Sequence, residues 1–593
     1  MNPFPDSLII ISDSGKGGRF VAYNLLVTVD LPPEENRIVL SNGYVYYYTE
    51  MKYDPSTKKT KDNRKAVGKL SSSDAGKMHP NSNYYTLLKQ DVVSSEKNKI
   101  MDPGEDEAYY IQPKPMARHV NAGHYIGLYK AAQRIGMITA LQKAFPKHWE
   151  KILALVIYVI DTSCSTAQLF PYWGYQNYCG FSKPFSDTTI SEVYEFIGKD
   201  DWAVDRFMRE FNRNYLKSVP TDRERIVAFD STNRNTACKQ NKYAQFGKQK
   251  VKKDGVPQVN TALMVDEKTG IPLYYENYYG SLLDKTETPS SAERIKELGF
   301  EKLMFVMDAG YASKECIDSI KDIYEFSVMT PDSFDIVQYM MDKYAALIKD
   351  NTTYYLWSED AYGIHECDVA VFGGRYTAFL FYDGRRGTEE RNNIHSKAKA
   401  LLNTALKRKR YSDKFRKQYA PYILIKESAM NPKTRQNFTA EINREAIGQE
   451  IRKAGYFVVV SNCSLGAERV LQITRDRDKG EKAFERFKSS LDMSASGTQN
   501  TLTYEGKTFM AFCALIVSEA FRWYLHDILS ATSSTTMETC LAELRNFQMQ
   551  RKLDGSYMPL TAMTKVQKTI YSLLGMDWNM VIQVIRSLKP QMV

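Results

Sequence analysis

Two apolar runs that each end in an aspartate constrain the fold of this chain most. The run IVAF (226–229) leads into Asp230, and LMFVM (303–307) leads into Asp308. Short apolar runs of this kind are typical of strands that are buried on both faces of a sheet. With helix-like stretches between and around them, they predict a multidomain α/β fold. Two aspartates at the ends of two such strands commonly build an ion site, which raises the question of a third ligand.

A third carboxylate is offered by a predicted helix over 473–493. At about 100° per residue, Arg477, Glu481, Lys488 and Thr474 fall within about 60° of one another on one narrow face. An apolar stripe runs beside that face: Phe484, Phe487 and Leu491. The helix can therefore bury its aromatic edge on a sheet and present Glu481 between two basic residues.

Three converging carboxylates repel one another unless a cation lies among them, and hard oxygen ligands favour Mg²⁺ or Mn²⁺. Two such ions can activate a water and stabilise the leaving oxygen in phosphodiester cleavage. Arg477 and Lys488 would hold phosphates nearby. A solvated, charged helix face is the alternative interpretation of the same residues.

At these residues the chain resembles the DDE transposases of bacterial insertion sequences. The resemblance is to the IS-four-like superfamily, whose signature reads Tyr-x2-Arg-x3-Glu-x6-Lys. Arg477, Glu481 and Lys488 stand at its spacings, whereas Thr474 occupies the tyrosine position. The surroundings are similar too: AFDSTN contains the first aspartate and FVMDAGYAS contains the second. The resemblance covers roughly residues 115–580.

The resemblance implies an RNase H-like catalytic core with a mainly β insertion between Asp308 and Glu481. That interval is more than twice the interval between Asp230 and Asp308, so there is room for an insertion. It further implies that these three acids are catalytic and bind two Mg²⁺ or Mn²⁺ ions. The enzyme would cut and rejoin double-stranded DNA at terminal inverted repeats and at a target, as a homodimer. Signature residues contact DNA in this family, and Thr474 keeps a hydroxyl but lacks the aromatic ring.

Two further elements are candidates for DNA binding. A basic hairpin follows the first aspartate and could line the DNA path, although a solvated turn explains it equally well; its lysines are Lys248, Lys250, Lys252 and Lys253. Trp357 lies on a predicted strand of the insertion, where related enzymes use an aromatic residue to hold a flipped base. Simple packing is the alternative for that tryptophan.

Changes in pattern along the chain predict seven regions. They are an N-terminal β-rich region (1–93), a linker (94–116), a helical DNA-binding domain (117–218), the catalytic core in two parts (219–334 and 452–500), the β-rich insertion (335–451) and a C-terminal helical region (501–593). The net charge of +10 permits a polyanionic partner.

Three features predict a cytoplasmic protein, and the resemblance implies that it is nucleoid-associated when it binds DNA. The apolar run 152–160 is too short to cross a bilayer. The N-terminus lacks the basic start of a signal peptide. The eight cysteines never form CxxC, which argues against a disulfide framework or a zinc site.

Two other functions remain open from the sequence. One is a catalytically inactive, DNA-binding descendant of a transposase, although all three acids are in place. The other is a phosphotransferase that uses Asp230 as an aspartyl nucleophile. Such enzymes usually carry a second acid two positions later, and Thr232 stands there instead.

Overall fold

The computed structural model describes residues 28–88 except 35–36, 40–42, 55–58, 72–73, 75 and 81, and residues 118–588 except 182, 222–224, 237, 248–255, 301, 351–355, 359–360, 409–412, 431–436, 489–497, 499 and 553–555. The chain divides into two compact units, Met1–Met116 and Ala117–Val593. Each unit has its own sheet.

The first unit is built on a five-stranded antiparallel sheet. Its elements are β1 (Val29–Asp30), β2 (Arg37–Val39), β3 (Tyr44–Asp54), β4 (Lys59–Leu70), β5 (Lys77–Pro80) and helix α1 (Ser82–Leu88). The strand order is β1-β5-β4-β3-β2. One residue from each of four of these strands meets Tyr84 of α1 in a small core: Val29, Val45, Val67 and Met78.

The second unit contains a mixed nine-stranded sheet and a large set of helices. Its strands are β6 (Arg118–Asn121), β7 (Arg225–Asn235), β8 (Gln258–Asp266), β9 (Pro272–Tyr279), β10 (Leu303–Met307), β11 (Glu325–Met329), β12 (Leu356–Ser358), β13 (Ala361–Val371), β14 (Gly374–Asp383), β15 (Ile423–Glu427), β16 (Phe438–Ile442), β17 (Tyr456–Ser461), β18 (Gln548–Arg551) and β19 (Tyr557–Pro559). Its helices are α2 (Gly123–Arg134), α3 (Met137–Ala144), α4 (Trp149–Thr162), α5 (Phe170–Gln176), α6 (Asp187–Lys199), α7 (Asp201–Ser218), α8 (Asp284–Glu297), α9 (Lys314–Ile320), α10 (Asp335–Asp350), α11 (Gly384–Leu406), α12 (Asp413–Tyr419), α13 (Arg444–Lys453), α14 (Ala467–Lys488), α15 (Thr501–Tyr524), α16 (His526–Ala531), α17 (Met537–Arg545), α18 (Lys565–Leu573) and α19 (Trp578–Ser587).

The large sheet has the order β12-β13-β14-β17-β11-β10-β7-β8-β9. Strands β7, β10 and β11 run parallel to one another, and every other pair of neighbours in the series is antiparallel. Strands β8, β10 and β17 are buried along their whole length. Continuous burial explains why β10 and β17 are almost unbroken apolar runs in the sequence.

Residues 335–451 differ from the mainly β insertion expected from the sequence. This segment holds the helices α10, α11, α12 and α13 as well as strands. Its hairpin β13–β14 extends the large sheet by pairing with β17, and only β15 and β16 form a separate two-stranded sheet. The pairing of this hairpin with β17 was not predicted because strand pairing depends on long-range contacts, which local periodicity does not encode.

Residues 117–218 and 501–593, which the sequence presents as two regions, pack together around α15. This helix is buried along most of its length, and its N-terminus carries a capping box formed by Asn500 and Thr503. Gly506 lies so close to Tyr194 that a Cβ there would be 2.1 Å from the Tyr194 carbonyl oxygen. Strand β6 also pairs with β18.

Among the described residues, no single helix is long and apolar enough to cross a membrane. The bent pair Trp149–Thr162 and Ala167–Gln176, which meet at 93°, reaches the required length and composition only when taken together.

Candidate active site

The two aspartates lie where the parallel ladder between β7 and β10 of the large sheet ends. In the β7–β10 pair, Phe229 lies opposite Met307, and this is the last pair of the ladder. Asp230 and Asp308 come directly after these partners in the chain. The sequence predicted both acids at strand ends, and this is correct for Asp308, which directly follows β10. It is wrong for Asp230, which lies in the middle of β7, because β7 continues to Asn235 by pairing with β8. The register between β7 and β10 nevertheless places the two acids beside each other.

Backbone N–H groups hold both carboxylates. The Asp230 Oδ1 atom accepts a hydrogen bond from the Ser231 N–H at 2.7 Å. The Asp308 carboxylate accepts one from the Ala309 N–H and caps the short turn that ends the strand. Tyr311 follows in that turn, and burial, with the Asp230 charge as a smaller contribution, raises the pKa of its phenol well above the ordinary value. The Tyr311 phenol therefore stays protonated beside Asp230 and does not serve as a base.

Helix α14 lies across the face of the sheet that carries the two aspartates. Side chains alternate along a strand, so Asp308 is on the same face as Met304 and Val306. These two residues are buried in one cluster with Ile473 of α14. The helix therefore crosses the sheet beside Asp230 and Asp308.

Arg477 of α14 connects two of the three acids. Its Nη2 atom is 2.6 Å from Glu481 Oε1, and its Nη1 atom is 3.8 Å from Asp308 Oδ1. The guanidinium is mostly buried, with 18% of the side chain exposed, whereas both acids are about half exposed, at 50% and 48%. The positively charged guanidinium of Arg477 thus already lies between Asp308 and Glu481.

The helical phase inferred from the sequence agrees with the burial along α14. Phe484 and Phe487 are buried, and Glu481 and Glu485 are exposed. Thr474, at the tyrosine position of the signature, is half-buried, and its hydroxyl donates a hydrogen bond at 2.8 Å to the Val470 carbonyl. The hydroxyl is therefore turned back onto its own helix.

A buried arginine that the sequence analysis did not single out lies four residues beyond Asp230. Arg234 is fully buried, and burial lowers the pKa of its guanidinium. Its Nη2 atom lies 2.8–3.1 Å from three acceptors: Thr261 Oγ1, Asn277 Oδ1 and Thr508 Oγ1. The rings of Phe487 and Tyr504 lie 5.3 and 4.7 Å from the guanidinium. Arg234 thus ties β7 to α14 and α15, and its only signal in the sequence is a charge inside a buried strand.

Several of the predicted DNA-binding residues cannot be compared with the structure. The side chains of Trp357 and Lys488 lie outside the described residues. The same holds for the hairpin lysines Lys248, Lys250, Lys252 and Lys253.

The side chains at the site are of the kind that binds a hard divalent cation. Within the described part of the chain, no three His, Cys, Asp or Glu side chains lie close enough to form a metal cluster. Asp308 and Glu481 nevertheless share the cationic Arg477, and Asp230 stands next to Asp308 in the sheet. All three acids offer only carboxylate oxygens, which are the ligands that Mg²⁺ and Mn²⁺ prefer.

The fold and these residues define a mixed α/β protein in which two aspartates on neighbouring parallel strands face a helix that carries an acid and an arginine. A family model described as the transposase DDE domain matches residues 221–517, half of the chain, and this range includes all three acids. The chain therefore belongs to the DDE transposase family. No curated protein matches its sequence.

Among solved structures, the chain aligns with a cryo-EM structure of the piggyBac transposase synaptic complex with hairpin DNA. The alignment covers 79% of this chain and 77% of that chain at 10% identity, with a TM-score of 0.28.

Proposed function

We propose that this protein is a cut-and-paste transposase that binds the ends of its own element and cleaves and transfers DNA strands at a site formed by Asp230, Asp308 and Glu481. One observation carries the proposal: two aspartates that are neighbours in register, at the end of the β7–β10 ladder, face a helix on which Arg477 pairs with both Asp308 and Glu481. All of these residues lie within the range matched by the family model.

The three carboxylates would hold one or two Mg²⁺ or Mn²⁺ ions. When bound, such ions lower the pKa of an attacking water and stabilise the leaving oxygen of a phosphodiester. The protein's own contribution is to fix the ligands. Asp230 and Asp308 are oriented by backbone N–H groups, and Glu481 is carried on a helix packed against the sheet.

Arg477 would change partners when DNA binds. A guanidinium binds phosphate oxygens through two parallel hydrogen bonds, in the same way as it binds a carboxylate. A phosphate beside Asp230 and Asp308 would therefore compete with Glu481 for Arg477, and the glutamate could then bind metal. We assign Lys488 to a second phosphate contact on the basis of its signature spacing.

The finer assignment within the family is also a proposal. The order β9-β8-β7-β10-β11, with three antiparallel strands followed by two parallel ones, supports an RNase H-like core. The spacing of Arg477, Glu481 and Lys488 supports the IS-four-like group. Action as a homodimer on inverted repeats, in the bacterial cytoplasm, follows from that assignment.

The test uses linear DNA that carries the sequences flanking the gene, incubated with the protein in Mg²⁺. We expect strand cleavage at the element boundary, and its loss in Asp230→Asn with binding of end DNA retained. Binding without cleavage by the wild-type protein, in Mg²⁺ and in Mn²⁺, would indicate the inactive descendant. Phosphate transfer from a small phosphorylated donor to Asp230 without DNA would indicate the phosphotransferase.

A further inference from the structure

Gly480, which immediately precedes Glu481, makes a close contact between α14 and strand β7. It is buried, and a Cβ built on it would lie 2.7 Å from the Cβ of Ala228. Carbon atoms of packed side chains normally lie about 3.5–4.0 Å apart. Glycine therefore allows the helix to lie closer to the strand at this point than alanine would.

This contact lies between two of the three acids. Ala228 precedes Asp230 by two residues, and alternate residues of a strand point to the same face. Gly480 is the neighbour of Glu481 in the chain. The distance between α14 and β7 at this contact therefore sets how near the Glu481 backbone lies to Asp230.

The helix is also held further along, so a displacement at Gly480 cannot be relieved by a simple slide. Arg486 binds the Glu519 carboxylate of α15 with two hydrogen bonds, and Glu519 is only 3% exposed. Phe487 packs under the Arg234 guanidinium. A side chain at position 480 would thus push the middle of the helix, which carries Glu481, away from the sheet, because Ile473 on one side and Arg486 and Phe487 on the other hold the helix in place.

We infer that Gly480 is a positioning residue, which sets the Glu481 carboxylate at the right distance from Asp230 and Asp308 for a shared metal site. The inference rests on the proposed function. Relieving a 2.7 Å approach to ordinary contact requires a displacement of about 1 Å. Misplacement of a catalytic group by about 1 Å can lower the rate roughly 100-fold.

The experiment is a double-mutant cycle on the two small residues. Gly480→Ala should lower Mn²⁺ affinity, measured by electron paramagnetic resonance without DNA, at least tenfold, and DNA cleavage about 100-fold. Ala228→Gly removes the opposing Cβ, so the double variant should regain most of both. The matched control is Gly448→Ala, because a Cβ at Gly448 of α13 meets only the flexible end of Arg452 at 3.8 Å. That control should bind and cleave like the wild type.

Two results would overturn the inference: wild-type Mn²⁺ affinity in a folded Gly480→Ala, or failure of Ala228→Gly to restore the double variant. If Gly480→Ala does not fold, Ala228→Val, which crowds the same contact from the strand, takes its place, and unchanged Mn²⁺ affinity in that variant would equally overturn it. A different result would refute the proposed function itself: the wild type would then bind Mn²⁺ no better than Asp230→Asn.

Discussion

Replacing Arg477 by glutamine should raise the affinity of the DNA-free protein for divalent cations. Arg477 neutralises two of the carboxylates that a metal ion would need, with N···O distances of 2.6 and 3.8 Å. Both acids are about half exposed, so each pair is worth only about 0.5–1 kcal/mol, as for other solvated ion pairs. Losing both competing contacts is then worth about 1–2 kcal/mol, which corresponds to roughly 5- to 30-fold in affinity.

The assay is a Mn²⁺ titration of the DNA-free protein at fixed ionic strength, followed by electron paramagnetic resonance. Arg469→Gln is the matched control, because Arg469 is an exposed arginine near the start of the same helix. It should leave the affinity unchanged. Equal or weaker Mn²⁺ binding by Arg477→Gln than by the wild type would refute the competition and would mean that Arg477 orients Glu481 as a ligand.

Three other predictions concern stability and DNA binding. Burial lowers the pKa of His124 to about 4, with Asp161 opposing and Arg545 adding a smaller effect. The folded protein therefore favours neutral His124, and stability is lost as the pH falls from about 6.5 towards 4. Urea unfolding at pH 5 and pH 7 should show a loss of about 2 kcal/mol that His124→Phe abolishes, and an equal loss in that variant would exclude His124 as the cause. Arg486→Met removes both hydrogen bonds from the buried Glu519 carboxylate, leaving only Arg522 at 4.0 Å, and should destabilise by about 3 kcal/mol. Arg486→Met/Glu519→Leu should recover most of that loss in the same assay; no recovery would show that packing rather than charge is responsible. Binding of end DNA should weaken more than about 100-fold between roughly 50 and 200 mM salt, measured by fluorescence anisotropy, and a flat response would argue against an extended phosphate-contacting surface.

Local pattern was sufficient to predict the elements that carry the site. The apolar run before Asp308 is strand β10, and the run before Asp230 is the first half of β7, whose polar second half the pattern did not reveal. The helical phase around Glu481 followed from the 3.6-residue period, which also places Phe484 and Phe487 in the core.

Long-range packing was not predictable in the same way. Nothing near β13 and β14 in the sequence indicates that this hairpin joins the large sheet through β17. A single glycine such as Gly480 has no periodic signal, and its role appears only when Ala228 is seen opposite it. Arg234 likewise reads as a polar strand end until the rings around it are seen.

The most direct test of the central claim compares two glutamates one helical turn apart. Glu481 pairs with Arg477 next to Asp308, whereas Glu485 is exposed one turn further along α14. Strand cleavage of one pre-formed end substrate in Mg²⁺ should be lost in Glu481→Gln, because a neutral amide is a poor ligand for the metal, and should be nearly unchanged in Glu485→Gln. An active Glu481→Gln beside an inactive Glu485→Gln would contradict the assignment of the third carboxylate, and with it the proposed site.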